Sequence, residues 1–214
     1  ILYLPLIPQG AQIVQRSILR FYEPLCDAVF TQGAQLIDRL KLADELQGLD
    51  ESSDALKEEL EEAGAVVLDK EYRDIEVNGT PVRLGGLYDY AFGLNGNNDA
   101  DAAPEDTKDF LTDFQNTDRL KIMLSHRPDS FIFGDASEVW NVDLVISGHN
   151  HGGQVVIPFK GGLYGGDQGW FPEYVHGIYK VGNMQMFITS GLGSDRQKLP
   201  RFNNPPEIAV VTVR

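Results

Sequence analysis

The sequence is poor in cysteine, in basic residues and in long apolar runs. Cys26 is its only cysteine, which excludes an internal disulfide framework and a zinc site built from several cysteines. Its 18 Lys and Arg residues stand against 32 Asp and Glu, a formal net charge of −14, whereas a nucleic-acid binder needs a basic surface to neutralise phosphates. No apolar stretch approaches the roughly 20 residues of a membrane helix, and we expect neither a membrane helix nor a signal peptide within this sequence.

The overall composition is that of a soluble globular domain. The chain has 214 residues, of which 42% are hydrophobic and 23% charged, and we expect one domain over residues 1–214 with a sizeable core. It opens with Ile1 inside a strand-like run, so we expect a trimmed form whose natural start is missing. The cellular location stays open between the cytoplasm and a membrane reached through segments outside this chain. The oligomeric state is equally open.

Hydrophobic periodicity predicts alternating strands and helices early in the chain and mainly strands later. Asn78-Gly79, between two strand-like runs, is the strongest short hairpin pattern. Helices are predicted at Ala11–Tyr22, Leu36–Leu46, Ser53–Ala63 and Thr107–Phe114. Strands are predicted at Ile1–Leu4, Ala28–Thr31, Val66–Leu68, Arg73–Val77, Pro81–Leu87, Arg119–His126, Val142–Ile146, Val155–Ile157, Val175–Val181, Met184–Thr189 and Ile208–Val213. The pattern predicts an α/β fold of two packed sheets with helices outside.

The stretch Ser147–Gln154 places two imidazoles two residues apart, directly after a strand. The preceding run Val142–Ile146 is short, apolar and β-branched, as expected for a central strand covered on both faces. Glycines flank the two histidines, His149 and His151, and allow a tight loop that aims both rings into one cavity. Neutral imidazole is a ligand for Zn, Fe, Ni, Cu and Mn ions. The loop is therefore a candidate metal site.

A third histidine follows another predicted strand. His126 ends the run that begins at Arg119, and Pro128 then starts a loop. Neighbouring parallel strands that end in His126 and in the His149/His151 pair would converge on the crevice where open α/β sheets place their ligands. The alternative is that all three are loop histidines whose nitrogens bond to the backbone.

These segments together resemble the calcineurin-like metallophosphoesterase family, in particular its small bacterial branch. The resemblance covers Ala65 to Arg214 and rests on four motifs: Ser125–Pro128, Ser147–Gln154, Gly191–Gly193 and Asn204–Ile208. It implies a four-layer α-β-β-α sandwich that holds two divalent ions, typically Mn, Fe or Zn. A water or hydroxide that bridges the ions attacks phosphorus, because paired metals lower its pKa and hold the attacking and leaving oxygens.

The resemblance also implies roles for individual residues. His126 and His149 are similar to ligands of one metal ion, and His151 is similar to a ligand of the other. Asn150 and Gln154 would line the site and face the substrate without binding metal. Asp89, which follows a strand end, is a candidate for contact with substrate; the alternative for this residue is a turn cap. A residue for the acid-base step cannot be assigned.

The first 64 residues depart from the family pattern at the positions that bear on the chemistry. Leu6 and Pro8 stand where the family has an Asp and a His ligand, and neither can donate a lone pair. Gln35 replaces the Asp that bridges the two metals, and Asp38 alone remains of that motif. The Gly-Asn-His motif has no counterpart near Gly48. We therefore expect weakened metal affinity and weakened hydrolysis.

Three interpretations follow. The first is a metal-dependent hydrolase of a phosphorylated small molecule or a lipid-linked phosphoester, whose missing ligands come from segments absent from this chain or from a rearranged site. The second is a non-catalytic relative, a pseudoenzyme that uses the old cleft to hold a phosphorylated ligand or a protein partner. Its rim would be the aromatic segment Tyr164–Tyr174, which is equally compatible with a packed loop. The third is a structural domain with a single metal ion on histidines, a site that His176 is poorly placed to complete.

Overall fold

The computed structural model describes residues 2–3, 13–15, 61, 66–87, 91–92, 99–192 and 199–213. Eleven strands lie within these ranges: β1 Leu2–Tyr3, β2 Ile13–Gln15, β3 Glu71–Val77, β4 Thr80–Leu87, β5 Leu120–Ser125, β6 Leu144–Ser147, β7 Val156–Ile157, β8 Gly161–Gly162, β9 Gly177–Val181, β10 Met184–Ile188 and β11 Val210–Val211. The described α-helices are α1 Glu105–Phe114, α2 Asp129–Ile132 and α3 Ala136–Val139. Single 3₁₀ turns occur at Ala100–Ala102, His151–Gly153 and Gly166–Gln168.

Six strands form a mixed sheet in the order β3-β4-β5-β6-β10-β9. The four inner strands are parallel to one another, and β3 and β9 are antiparallel edge strands. A second sheet joins β1, β2 and β11 in antiparallel pairs, and β7 and β8 form a separate hairpin. Parallel neighbours end at the same edge of a sheet, so the residues that follow β4, β5, β6 and β10 share one side of the molecule.

The central strands β5 and β6 are buried along almost their whole length, as their mainly apolar sequences predict. Strand β10 alternates instead, with Gln185 exposed between the buried Met184 and Met186. Side chains alternate between faces, and β5 shows this directly. Met123 packs in one apolar cluster with the α1 residues Leu111 and Phe114. Ile122 and Leu124 pack in a second cluster, which Val211 of β11 contacts. Helix α1 thus covers one face of the large sheet, and the second sheet packs near the other.

The predicted α/β class with two sheets is confirmed, and the complete four-layer arrangement stays a prediction. The Asn78-Gly79 hairpin is also confirmed, with Val77 paired to Thr80 across the turn. The single domain over residues 1–214 stays a prediction as well. The predicted elements Leu36–Leu46 and Ala28–Thr31 lie outside the described residues.

Two local predictions were wrong. The helix predicted for Ala11–Tyr22 is contradicted at Ile13–Gln15, which is strand β2 and pairs with both β1 and β11. Ile13 and Val14 are β-branched, and tertiary pairing here outweighs the weak helical spacing. The strand predicted at Val66–Leu68 is not a strand. The chain instead runs beside β4 into β3, and Lys70 donates its backbone N–H to the Gly86 carbonyl at 2.9 Å.

Among the described residues, no helix has the length and apolar character needed to span a membrane.

Candidate metal centre

The candidate site begins where two neighbouring parallel strands end. β5 ends at Ser125 and is followed by His126, and β6 ends at Ser147 and is followed by Gly148 and His149. The backbone N–H of Gly148 donates to the His126 carbonyl at 3.1 Å and ties the two strand ends together. The sheet therefore brings two histidines that lie 23 residues apart in sequence to one edge.

The rings of these two histidines are in contact. His149 Nδ1 lies 3.3 Å from His126 Nε2, and the ring centroids are 5.1 Å apart at an interplanar angle of 73°. At this nitrogen separation, one neutral ring can donate a hydrogen bond to the other, provided that their tautomers differ. The pair presents two imidazole nitrogens to a common point.

The surroundings keep His126 uncharged. Burial is the main cause that lowers the pKa of His126 from 6.5 to about 2, because the charged ring loses its hydration. Positive charge on neighbouring groups, including His149, Arg127 and His151, lowers the pKa of His126 further. A neutral ring is the form that can donate a lone pair to a metal ion.

This pKa predicts a loss of stability in acid. The unfolded chain takes up a proton at His126 near pH 6.5, whereas the folded chain does so only near pH 2. Between these values the unfolded state binds more protons, so the free energy of unfolding falls as pH falls below 6.5 and gains nothing above it. Urea denaturation of the wild type and of His126→Asn in EDTA, from pH 4 to pH 8, checks this. We expect the wild type to lose more stability than the variant on the acid side; parallel pH profiles would show that His126 does not resist protonation.

The loop after β6 has the tight geometry that its glycines predict. Non-glycine residues His149, His151 and Gln154 have φ angles of 65°, 47° and 59°, and Gly152 and Gly153 have 65° and 81°. Five left-handed residues within six positions are unusual, since such angles are costly for residues with a Cβ atom. The loop must therefore be fixed by contacts with the rest of the protein.

The other two polar residues of this loop are buried. Asn150 is 2% exposed and Gln154 is 6% exposed. The Asn150 amide donates to the Tyr174 carbonyl at 2.9 Å, while its Oδ1 and the Gln154 Oε1 have no hydrogen-bond partner in the described part of the protein. Buried acceptors of this kind are satisfied by a donor that enters the site.

A second loop covers the site. A Cβ atom placed on Gly166 would lie 3.1 Å from His149 Nε2 and 3.6 Å from Asn150 Oδ1. The turn that contains Gly166 is held by Gln168, whose side chain both donates to and accepts from the Tyr174 backbone. The absence of a side chain at Gly166 thus lets the turn lie directly over the histidine ring.

The predicted site residues are not all assembled. Within the described ranges, no three or more His, Cys, Asp or Glu side chains gather as a metal-holding group. The structure therefore joins His126 to His149 but does not complete a three-ligand set with His151. Asp89 lies outside the described residues, as do Leu6, Pro8, Gln35 and Asp38.

The remaining sequence predictions near the site divide between surface and core. His176 is exposed, with its Nε2 2.7 Å from Glu207 Oε2, and it does not join the other histidines. In the aromatic segment, Trp170 and Phe171 are 64% and 56% exposed. Tyr174 instead packs edge-on against Phe133 and Tyr179. The segment thus combines exposed rings at Trp170 and Phe171 with a packed ring at Tyr174, and its role as a rim stays a prediction.

The sequence patterns predict no role for residues 201–207. These residues hold the loop of residues 149–154, which is called the histidine loop below. Asn204 donates its amide to the His151 and Gln154 carbonyls, Arg201 donates to Asn204, and Glu207 accepts from Ser190. From the sequence, the motif Asn204–Ile208 contributes only to the resemblance to the metallophosphoesterase family. Its distance of about 50 residues from the loop left no local pattern that would reveal the contact.

Comparison with known proteins gives partial matches to bacterial proteins. The chain is 37% identical over 99 residues to an uncharacterized metallophosphoesterase, YkuE, of Bacillus subtilis, and this covers 46% of the chain and 32% of that protein. It is 36% identical over 100 residues to an uncharacterized metallophosphoesterase, Cj0846, of Campylobacter jejuni, covering 46% of the chain and 24% of that protein. It is 33% identical over 92 residues to the phosphodiesterase YaeI of Escherichia coli, covering 42% of the chain and 31% of that protein.

The matched segment thus spans 24% to 32% of the length of each of these relatives. No family model and no solved structure matches the chain. The names of the relatives agree with the resemblance drawn from the histidine motifs, which is thereby confirmed.

Proposed function

We propose that this chain, a relative of bacterial metallophosphoesterases, binds a divalent metal ion through His126 and His149 and belongs to a metal-dependent phosphoester hydrolase. The observation that carries the proposal is the contact between His126 Nε2 and His149 Nδ1, 3.3 Å apart at the ends of two parallel strands. The further ligands of a two-metal site, including His151 and acidic residues, are part of the proposal.

The two nitrogens fit a metal ion. Two nitrogen ligands at about 2.0–2.1 Å from a tetrahedral ion stand about 3.3–3.4 Å apart, the separation seen between His126 and His149. A metal ion that binds both nitrogens would take the place of the proton shared between the neutral rings. Mn, Fe and Zn all accept imidazole, although Mn prefers more oxygen ligands. A bound divalent ion supplies a water of lowered pKa and a positive centre for phosphate oxygens.

The protein's own groups would prepare this chemistry. Burial keeps His126 neutral, and the Gly166 turn lies close to the His149 ring. The buried acceptors Asn150 Oδ1 and Gln154 Oε1 suit hydroxyl groups or water rather than phosphate oxygens, which are acceptors themselves. We assign them to the substrate's hydroxyl groups or to a bound water. Since the chain carries a net charge of −14, the metal ion would be the main attraction for an anionic substrate.

We propose that the substrate is a phosphorylated small molecule or a lipid-linked phosphoester. The exposed rings of Trp170 and Phe171 lie in the same segment as Gly166 and offer apolar surface beside the site.

A second candidate is a binding module without catalysis. It is favoured by the absence, among the described residues, of a group of three or more metal-ligand side chains. The replacements at Leu6, Pro8 and Gln35 point the same way, although they lie outside the described residues. Such a module would hold a phosphorylated ligand or a protein partner in the cleft beside His149.

A hydrolysis assay separates the two functions. We expect purified protein to hydrolyse p-nitrophenyl phosphate or bis(p-nitrophenyl) phosphate when Mn²⁺ or Zn²⁺ is added and to lose this activity in EDTA. Folded protein that shows no turnover, but whose melting temperature rises with phosphate or a phosphorylated nucleoside, would support the binding module. Folded protein that shows neither response would contradict both functions.

A further inference from the structure

The buried side-chain amide of Asn204 holds the histidine loop by hydrogen bonds to its backbone. Asn204 is 8% exposed, and its Nδ2 donates to the His151 carbonyl at 2.7 Å and to the Gln154 carbonyl at 2.9 Å. These two carbonyls bracket the 3₁₀ turn His151–Gly153. The amide thus bridges both ends of the turn that follows His149.

We propose that Asn204 is a positioning residue for the metal-binding loop, which fixes the backbone between His151 and Gln154 and thereby the imidazoles beside it. The proposal rests on the proposed metal site for its functional consequence. Its structural part stands on the hydrogen bonds alone.

The orientation of the Asn204 amide is set by Arg201. Arg201 Nη1 lies 3.2 Å from Asn204 Oδ1, and a guanidinium group has donors only. The amide oxygen must therefore face Arg201, which leaves both N–H groups for the loop carbonyls. Arg201 is itself held by the Ser190 and Gly191 carbonyls, to which its Nη2 donates. The end of β10 is thereby connected to the histidine loop.

The loop has a clear need for such a contact. The left-handed angles at His151 and Gln154 are costly for residues with a Cβ atom, and surrounding contacts must hold them. Gly152 is packed so closely that an added Cβ would lie 2.8 Å from Asn204 Oδ1 and 2.8 Å from Ser190 Cβ. Asn204 therefore forms hydrogen bonds with both ends of the turn and packs closely against Gly152 in its middle.

Asn204→Asp tests the proposal with little change in shape. The substitution keeps an oxygen for Arg201 but turns a second oxygen toward two carbonyl oxygens, which repels the turn. Asn203→Asp is the matched control, because Asn203 is exposed and donates to the Val156 carbonyl at 3.1 Å rather than to the histidine loop. Asn204→Ser, which is neutral and keeps one donor, serves if the aspartate variant does not fold.

Two measurements distinguish the positioning role of Asn204 from the existence of the metal site. In metal-free protein, the ¹⁵N and ¹H resonances of the imidazoles of His149 and His151 should shift in Asn204→Asp and stay in place in Asn203→Asp. Calorimetric titration with Mn²⁺ should then give a dissociation constant at least about tenfold higher for Asn204→Asp than for the control, as for other residues that orient metal ligands.

Each outcome has a defined meaning. Unchanged imidazole resonances and unchanged Mn²⁺ affinity in folded Asn204→Asp, or in Asn204→Ser where that variant is used, would overturn the proposal. Shifted imidazoles in a protein whose wild type binds no Mn²⁺ would support the positioning role and contradict the proposed function.

Discussion

Replacing His149 with asparagine is expected to weaken the binding of a divalent ion at least about 100-fold, a larger effect than the 10–100-fold typical of outer-shell changes. His149 supplies one of the two nitrogens that meet at 3.3 Å, and an amide oxygen is a weaker ligand than imidazole for Zn²⁺. Asparagine is the suitable replacement because it tolerates the left-handed backbone seen here, where φ is 65°. Calorimetric titration of both proteins with Zn²⁺ and Mn²⁺ measures the change.

The fourth histidine provides the matched control for this experiment. His176→Asn changes the same residue type at an exposed position, where the ring nitrogen Nε2 lies 2.7 Å from Glu207 Oε2, and we expect it to leave metal affinity within about twofold. Equal loss of affinity in the His149 and His176 variants would mean that metal binds histidines on the surface without regard to the strand ends. That result would contradict the proposed site.

Replacing Gly153 with alanine is expected to lower the free energy of unfolding by about 2–4 kcal/mol, the sum of left-handed strain and steric overlap. Its φ is +81°, and an added Cβ would lie 2.3 Å from the Gly162 Cα. This is backbone of β8 and cannot rotate aside, so the loop or the β7–β8 hairpin must move. Urea denaturation measures the change, and we expect metal affinity to fall with it because the loop carries His149 and His151.

Gly161→Ala separates the two causes. Gly161 has a φ of +89° in the same hairpin, but an added Cβ there would have no atom within 4 Å. We therefore expect only the strain, about 1–2 kcal/mol, with metal affinity unchanged. If the two alanine variants lose the same stability, then the close approach of the histidine loop to β8 is not a constraint on the fold.

The parts of the fold that the sequence predicts well are those with local patterns. The Asn78-Gly79 turn fixes the β3–β4 hairpin, and the apolar runs of β5 and β6 identify central parallel strands. From these strands, the meeting of His126 and His149 follows from topology alone. The helix predicted over Ala11–Tyr22 is wrong at Ile13–Gln15, because pairing with β1 and with β11 from the far end of the chain decides the structure there.

The parts that the sequence could not predict depend on distant partners. Asn204 binds carbonyl groups 53 and 50 residues away, and hydrogen bonds between side chains and distant backbone leave no periodicity. The cover that Gly166 places over His149 is equally non-local. The contact between His176 Nε2 and Glu207 Oε2 likewise joins residues that no spacing rule connects. Sequence patterns therefore identified the candidate ligands but not the residues that hold them.

In the proposed site, two strand-end imidazoles share one metal ion. Anomalous diffraction from crystals grown with Zn²⁺, recorded on either side of the zinc absorption edge, can locate that ion. We predict a peak between His126 Nε2 and His149 Nδ1, with the two rings in the positions described above. Density that shows these rings paired with each other and zinc bound only elsewhere would contradict it.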